Sequence, residues 1–463
     1  MRTRWSLLAG GGYSRLVGVA DSLPVGVAYV LAVLMLILPL SLSLFSADAW
    51  GQNAPASAGG PPLPPSDDDS PALALPFDSA PSATTVRSTA VALEAEQTYS
   101  TLPVGGDIDA QRLSMDLRSN LRLASDWRVL FADRLDLLWP GTFDGAQHIN
   151  TLKEAFVSWQ ARSDALFDLG RINVRQGVAF GYNPTDFLRA DALRAVDSID
   201  PDSLRQNRLG TAMLRAQQLW DSGSMTELYA PKLAEHASAA PFDPDLGATN
   251  NENRWMISLS QRLMGNWSPQ WLMEGSASSP AQFGFNTTAA LGDATVAYLE
   301  LATGNSRSLW DQAQASGAAN SLHARASTGF TYSAPDKISV TLEYEYDGAA
   351  LSGRAWSAAR SGGNLEAYGR YRAFLTLQQE PPTQHSAFGL VSWQDALVRH
   401  LDLSAFVRVD LVDHSRLPWM ELRYHWTHID VALRWQDFIG DASSDYGASA
   451  TRQSGQVLLD YYL

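Results

Sequence analysis

The stretch QRLSMDLRSNLRLA, residues 111–124, sorts its side chains with a period of two. Leu113, Met115, Leu117, Leu121 and Leu123 fall on one face of an extended chain, and Arg112, Ser114, Asp116, Arg118, Asn120 and Arg122 on the other. Charge and apolar surface separate cleanly, which is the pattern of a strand with an apolar medium on one side only.

The pattern recurs toward the end of the chain. Ile338, Val340, Leu342, Tyr344 and Tyr346 oppose Ser339, Thr341, Glu343, Glu345 and Asp347. Leu401, Leu403, Ala405, Val407 and Val409 oppose Asp402, Ser404, Arg408 and Asp410, and Met420, Leu422 and Tyr424 oppose Glu421, Arg423 and His425. Ile429, Val431, Leu433 and Trp435 oppose Asp430, Arg434 and Gln436, and the chain finishes on GQVLLDYYL with Val457, Leu459, Tyr461 and Leu463 on one face. These runs are longer than the usual strand of a globular sheet and match the roughly 9–11 residues needed to cross a bilayer at a tilt. Trp127, Trp139, Trp267, Trp271, Trp419 and Trp435 stand near run ends, where interface girdles are expected. Short connections, at Gly292-Asp293 and Thr427-His428, alternate with long polar ones at 235–253, 305–322, 352–366 and 440–454.

These features predict an all-β fold, a transmembrane antiparallel β-barrel over 89–463 with about 18 strands, between about 16 and about 20. The polar face then lines a lumen, which makes Arg112, Asp116, Arg118, Arg122, Glu343, Glu345, Arg408, Arg423 and Arg434 candidate lumen-facing groups. The final strand resembles the closing strand of bacterial outer-membrane barrels, which implies recognition by the barrel-assembly machinery. Most such strands end on an aromatic residue, whereas this one ends on Leu463.

Composition agrees. A net charge of −15 argues against nucleic acid, whose partners carry a basic face. Fifteen Trp and fifteen Tyr accompany a mean hydropathy of only −0.15, as alternation requires and helical membrane spans do not. Absence of cysteine removes disulfides, thiolate metal sites and a cysteine nucleophile.

Ahead of the barrel, Arg2, Arg4 and Arg15 precede an apolar run over 25–45 that is followed by Ala47-Asp48-Ala49. Residues 1–49 therefore read as a signal peptide cleaved after Ala49, or as an uncleaved membrane anchor, since the run is long enough to span. Residues 50–88, dense in Pro, Ala, Ser and Asp, read as a disordered linker. The expected location is the bacterial outer membrane, with membrane lipid and periplasmic export components as partners.

One region breaks the alternation. Between strand-like ends, 176–210 is crowded with Arg and Asp and reads as a long interrupted loop. Leu169-Gly170-Arg171 leads into the turn Gly181-Tyr182-Asn183-Pro184-Thr185-Asp186. This combination resembles the alginate-export-like and related large porin families. The resemblance implies an outer-membrane channel narrowed by an inserted loop and lined by arginines that attract anions. The matching residues are Arg171, Arg175, Arg189, Arg194, Arg205 and Arg208, interleaved with Asp186, Asp191, Asp197, Asp200 and Asp202. Mixed signs leave two readings open, a substrate filter or a network that stiffens the loop.

Catalytic signals are weak. Asp413-His414-Ser415 are adjacent, but strand neighbours alternate faces, and neither a Gly-x-Ser-x-Gly elbow nor a His-Glu-x-x-His pair occurs. The expectation is a non-enzymatic channel without metal or cofactor, passing hydrophilic solutes, anionic ones among them, or an exported acidic polysaccharide. A plugged barrel with a structural or adhesive role is the alternative.

Overall fold

The computed structural model describes residues 89–140, 147–196, 198–265 and 267–463; the segments read as signal or anchor (1–49) and linker (50–88), and Asp197, lie outside them. Among the described residues eighteen strands form one antiparallel sheet, each paired with its neighbour in sequence. The first wall consists of β1 (Thr89–Thr101), β2 (Asp107–Arg122), β3 (Trp127–Trp139) and β4 (Gln147–Arg162). Shorter strands follow: β5 (Ala165–Ile172), β6 (Thr211–Trp220), β7 (Gly223–Ala230), β8 (Arg254–Gln261), β9 (Gln270–Ser276) and β10 (Gln282–Ala290). Next come β11 (Thr295–Ser306), β12 (Ser321–Ser333), β13 (Ile338–Asp347) and β14 (His385–Trp393). The last four are β15 (Leu401–Asp410), β16 (Arg416–His425), β17 (Ile429–Asp437) and β18 (Gln453–Tyr462).

The barrel closes where β18 pairs with β1, in a register that sets Leu459 opposite Ala95 and Val457 opposite Gln97. Leu463 extends the seam, its N–H donating to the Val91 carbonyl at 3.0 Å. Closure satisfies the backbone groups that an open edge would present to hydrocarbon.

Burial follows the two-residue period with the polarity of a soluble protein reversed. Leu342, Leu433 and Leu169 are 50%, 52% and 65% exposed on the outer face, while Arg112, Asp136, Glu300, Glu343 and Asp347 are buried on the inner one. An aromatic girdle including Trp127, Trp159, Phe167, Trp220 and Trp271 follows one rim, with Trp127 stacked on Trp159 at 5.5 Å. Trp419 does not belong to it. It shares the inner face with Glu421 and Arg423 and stacks on Phe406 at 4.9 Å, so parity overrides its position near a strand end.

Connections after even-numbered strands are short and crowd the girdle rim, and the longest connections all follow odd-numbered strands at the other rim. The connection read as 352–366 runs over 348–384 and holds two helices, Gly353–Ser361 and Leu365–Gln378. Ser352 and Asn364 cap them by accepting the Ala355 and Ala367 N–H groups. Trp356, Tyr368, Tyr371 and Leu375 pack with Leu309 into a small core of their own at that rim.

Arginine in place of Leu342, mid-strand on the outer face, is expected to destabilise the barrel by about 2–4 kcal/mol. Reversible denaturant unfolding from lipid vesicles reads this loss, and wild-type stability would contradict the assignment of that face to lipid.

Candidate functional site

β5 ends at Ile172 and β6 begins at Thr211, and the intervening 173–210 packs against the inner wall of the barrel. Such an irregular segment has backbone N–H groups with no ladder to receive them. Two wall carboxylates supply the acceptors. Glu300 of β11 accepts the N–H groups of Val178 (2.8 Å), Ala179 (3.1 Å) and Thr185 (2.8 Å) and the Thr185 hydroxyl (2.8 Å). Glu343 of β13 accepts those of Phe180 (2.9 Å), Gly181 (3.1 Å) and Tyr182 (3.0 Å), and the Tyr298 hydroxyl at 2.7 Å. Glycine at 181 is required by the approach, since a Cβ there would lie 2.3 Å from Glu345 Oε1 and 2.8 Å from the Phe388 ring. Phe180 and Ile199 rest on the wall patch of Phe388, Phe406 and Trp419.

The arginines of the segment mostly hold it in place. Arg208 grips Asp186 through two bonds of 2.8 and 3.2 Å, both side chains buried, and donates to the Val174 carbonyl at 2.7 Å. Arg189 pairs with Glu380 at 2.6 Å and lies over the Tyr182 ring. Burial works to raise the Glu380 carboxyl, but Arg189 and Arg325 beside it hold it below its ordinary value. Asp191 accepts Gln378 Nε2 on both oxygens at 3.2 Å, and its N–H donates to the Leu377 carbonyl at 3.0 Å. Arg194 donates to the carbonyls of Asn150, Asp243 and Ala240, each at 2.8 Å, and Arg205 to that of Gln176 at 3.1 Å. Arg171, at the end of β5, is buried under the connection 231–253, donating to the Pro244 and Asp245 carbonyls and to Thr249 Oγ1. Arg175 lines open space.

That space is a cavity of about 780 Å³ between the segment and the wall formed by β12–β18 and β1–β4, the wall's charged groups lying on β16–β18 and β1–β4. Arginine and carboxylate alternate along this wall. Arg112 pairs with Glu94 (2.8 Å) and Glu96, and Arg134 with Glu94 (2.8 Å) and Asp136 (3.0 Å). Across the seam Arg423 pairs with Glu421 (2.8 Å), Asp430 (3.6 Å) and Asp460, and Arg434 with Glu421. Asp116 holds Lys153, Arg118 faces the cavity, and Arg122 is exposed at the girdle end of β2 beside Arg128. Glu345 accepts the Ser386 hydroxyl at 2.6 Å, and Arg408 lies over the Phe388 ring at 5.2 Å, both away from the cavity.

Glu94, Arg134, Lys153 and Asp460 of the wall, and Glu300 behind the segment, were not singled out by the sequence reading. Each occupies an inward position of an alternating strand or its bulge, which is the signal that parity offers. Asp413 accepts the Ser415 hydroxyl (2.6 Å) and Trp356 Nε1 (2.9 Å), organising its own turn.

No family model matches the chain, and no curated protein does. Solved structures do. Acinetobacter baumannii OccAB1 aligns with a TM-score of 0.51 at 9% identity, covering 81% of this chain and 96% of that one. Its fold is that of the outer-membrane porins. Pseudomonas aeruginosa OpdK (TM-score 0.48, 10% identity, 81% and 98% covered) and OccK2, solved in complex with glucuronate (0.48, 10%, 81% and 96%), are similar at a lower level. The closed barrel, its apolar outer face and its girdle place the chain in the bacterial outer membrane.

Replacing Glu300 by Ala removes the acceptor for five donors of the inserted segment, Asn183 Nδ2 at 3.4 Å among them. Amide exchange over 178–185 is expected to rise by about ten- to a hundredfold, as loss of charge-assisted hydrogen bonds dictates, with strand amides unchanged. Unaltered exchange would show that the segment is held by other means.

Proposed function

We propose that the chain is a passive outer-membrane channel for small hydrophilic solutes, whose passage runs between the inserted segment and the wall of β12–β18 and β1–β4. The cavity carries this reading, with about 780 Å³ of space faced mainly by charged and hydroxyl side chains. Such a lining favours solutes that exchange water for polar contacts and repels apolar ones. No reaction is part of this reading. Of the arginines expected to draw anions, Arg189 is paired with Glu380 and Arg208 with Asp186, and the wall arginines Arg112, Arg134, Arg423 and Arg434 are also matched by carboxylates, which weakens support for a cationic funnel. A separate observation favours the plugged alternative: the helices of 348–384 form a cored cap at the far rim.

Single-channel recording decides between them. Steady open steps are expected from the purified chain in a planar bilayer. Replacement of 176–206 by a short Gly-Ser linker is expected to raise the conductance at least about twofold, as removal of a constriction would. Protein confirmed as folded that gives no steps, with the linker variant conducting, would favour the plug.

A further inference from the structure

The cavity has a sign where segment and wall face each other. Three guanidiniums of the wall line it there, on Arg134, Arg423 and Arg434, against three carboxylates, on Glu94, Glu421 and Asp460. Opposite them the inserted segment presents the turn into the short helix Pro201–Gln206, which carries Asp200 and Asp202 to the same cavity. Lys153 is held by Asp116, and Arg118 and Arg175 share their end of the cavity with Glu154. Negative charge therefore exceeds positive on the side where segment and wall face each other.

We propose that Asp200 is a selectivity-determining residue of the passage and gives it a preference for cations over anions at neutral pH. The proposal rests on the channel reading above and names the solute class which that passage favours. Asp200 is held in place because its Oδ2 accepts the Ser203 N–H at 3.0 Å, capping the helix. A carboxylate fixed at the edge of a narrow polar passage concentrates cations there and costs anions an electrostatic barrier.

The groups facing Asp200 are Asp202 on its own helix, Glu421 on β16 and Arg434 on β17, and Arg423, Asp460, Glu94 and Arg134 border the same cavity. Burial, seconded by the like charges of Asp202 and Glu421, pushes the Asp200 carboxyl up to about 6 despite the Ser203 hydrogen bond and Arg434. The carboxylate is charged above that value and neutral below it. Cation preference is thus present at neutral pH and lost in mild acid.

The test is the reversal potential of the full chain under a potassium chloride gradient at about pH 7.5 and about pH 5, on either side of the Asp200 value. The wild type is expected to favour potassium at the higher pH, with the permeability ratio falling by about two- to threefold at the lower. Asp200→Asn keeps a helix-capping oxygen and is expected to show the low ratio at both. Asp202→Asn is expected to lower the ratio while retaining the pH step. Chloride preference at the higher pH, a wild-type pH step in Asp200→Asn, or loss of that step in Asp202→Asn would each overturn the proposal alone. Complete absence of current from folded protein would overturn the channel reading and this proposal with it.

Discussion

An unpaired backbone N–H or C=O in hydrocarbon costs several kcal/mol, and the pairing of β18 with β1 is what spares this chain a whole edge of them. Once the sheet closes, each strand has one side toward lipid and one toward an enclosed space. The alternation of apolar and polar residues then has a single consistent solution. Leucines that would form the core of a soluble protein cover the outside, and arginines and carboxylates that would be its surface are packed within.

Packing charge inside creates its own demand, because a buried ion without a partner is far costlier than a paired one. The wall of β1–β3 and β16–β18 meets that demand by interleaving guanidiniums with carboxylates across neighbouring strands. On the wall of β11 and β13, Glu300 and Glu343 have no arginine hydrogen-bonded to either among the described residues, and there the inserted segment supplies its backbone N–H groups instead. The two solutions differ in what satisfies the charge: wall arginines on one side, and the backbone of the segment on the other.

Period, strand number and lumen face were legible in the sequence because each is a local property of the chain. Arg112, Arg118, Arg423 and Arg434 could be placed on the inner face from parity alone. What parity could not supply was the partner. Glu343 meets Phe180 and Glu300 meets Val178 across more than a hundred residues, and nothing in either stretch names the other. The Leu169-Gly170-Arg171 motif likewise does not name the Pro244 and Asp245 carbonyls that hold Arg171. Trp419 was read by its distance from a strand end, which is a weaker guide than its parity with Glu421. The helices in 348–384 went unread because a search for two-residue alternation does not look for their period.

The attachment of the inserted segment also sets an order in time. Its acceptors on β11 and β13 lie beyond residue 295, and its companions Phe388, Phe406 and Trp419 come later still in the chain. Until those strands join the sheet, 177–185 lacks both carboxylates that receive its backbone N–H groups, and among the described residues of the inner wall only Asn286 of β10 is there to take the Thr185 hydroxyl. A bore built in chain order would thus stay wide until β11 and β13 are in place and narrow only as they arrive.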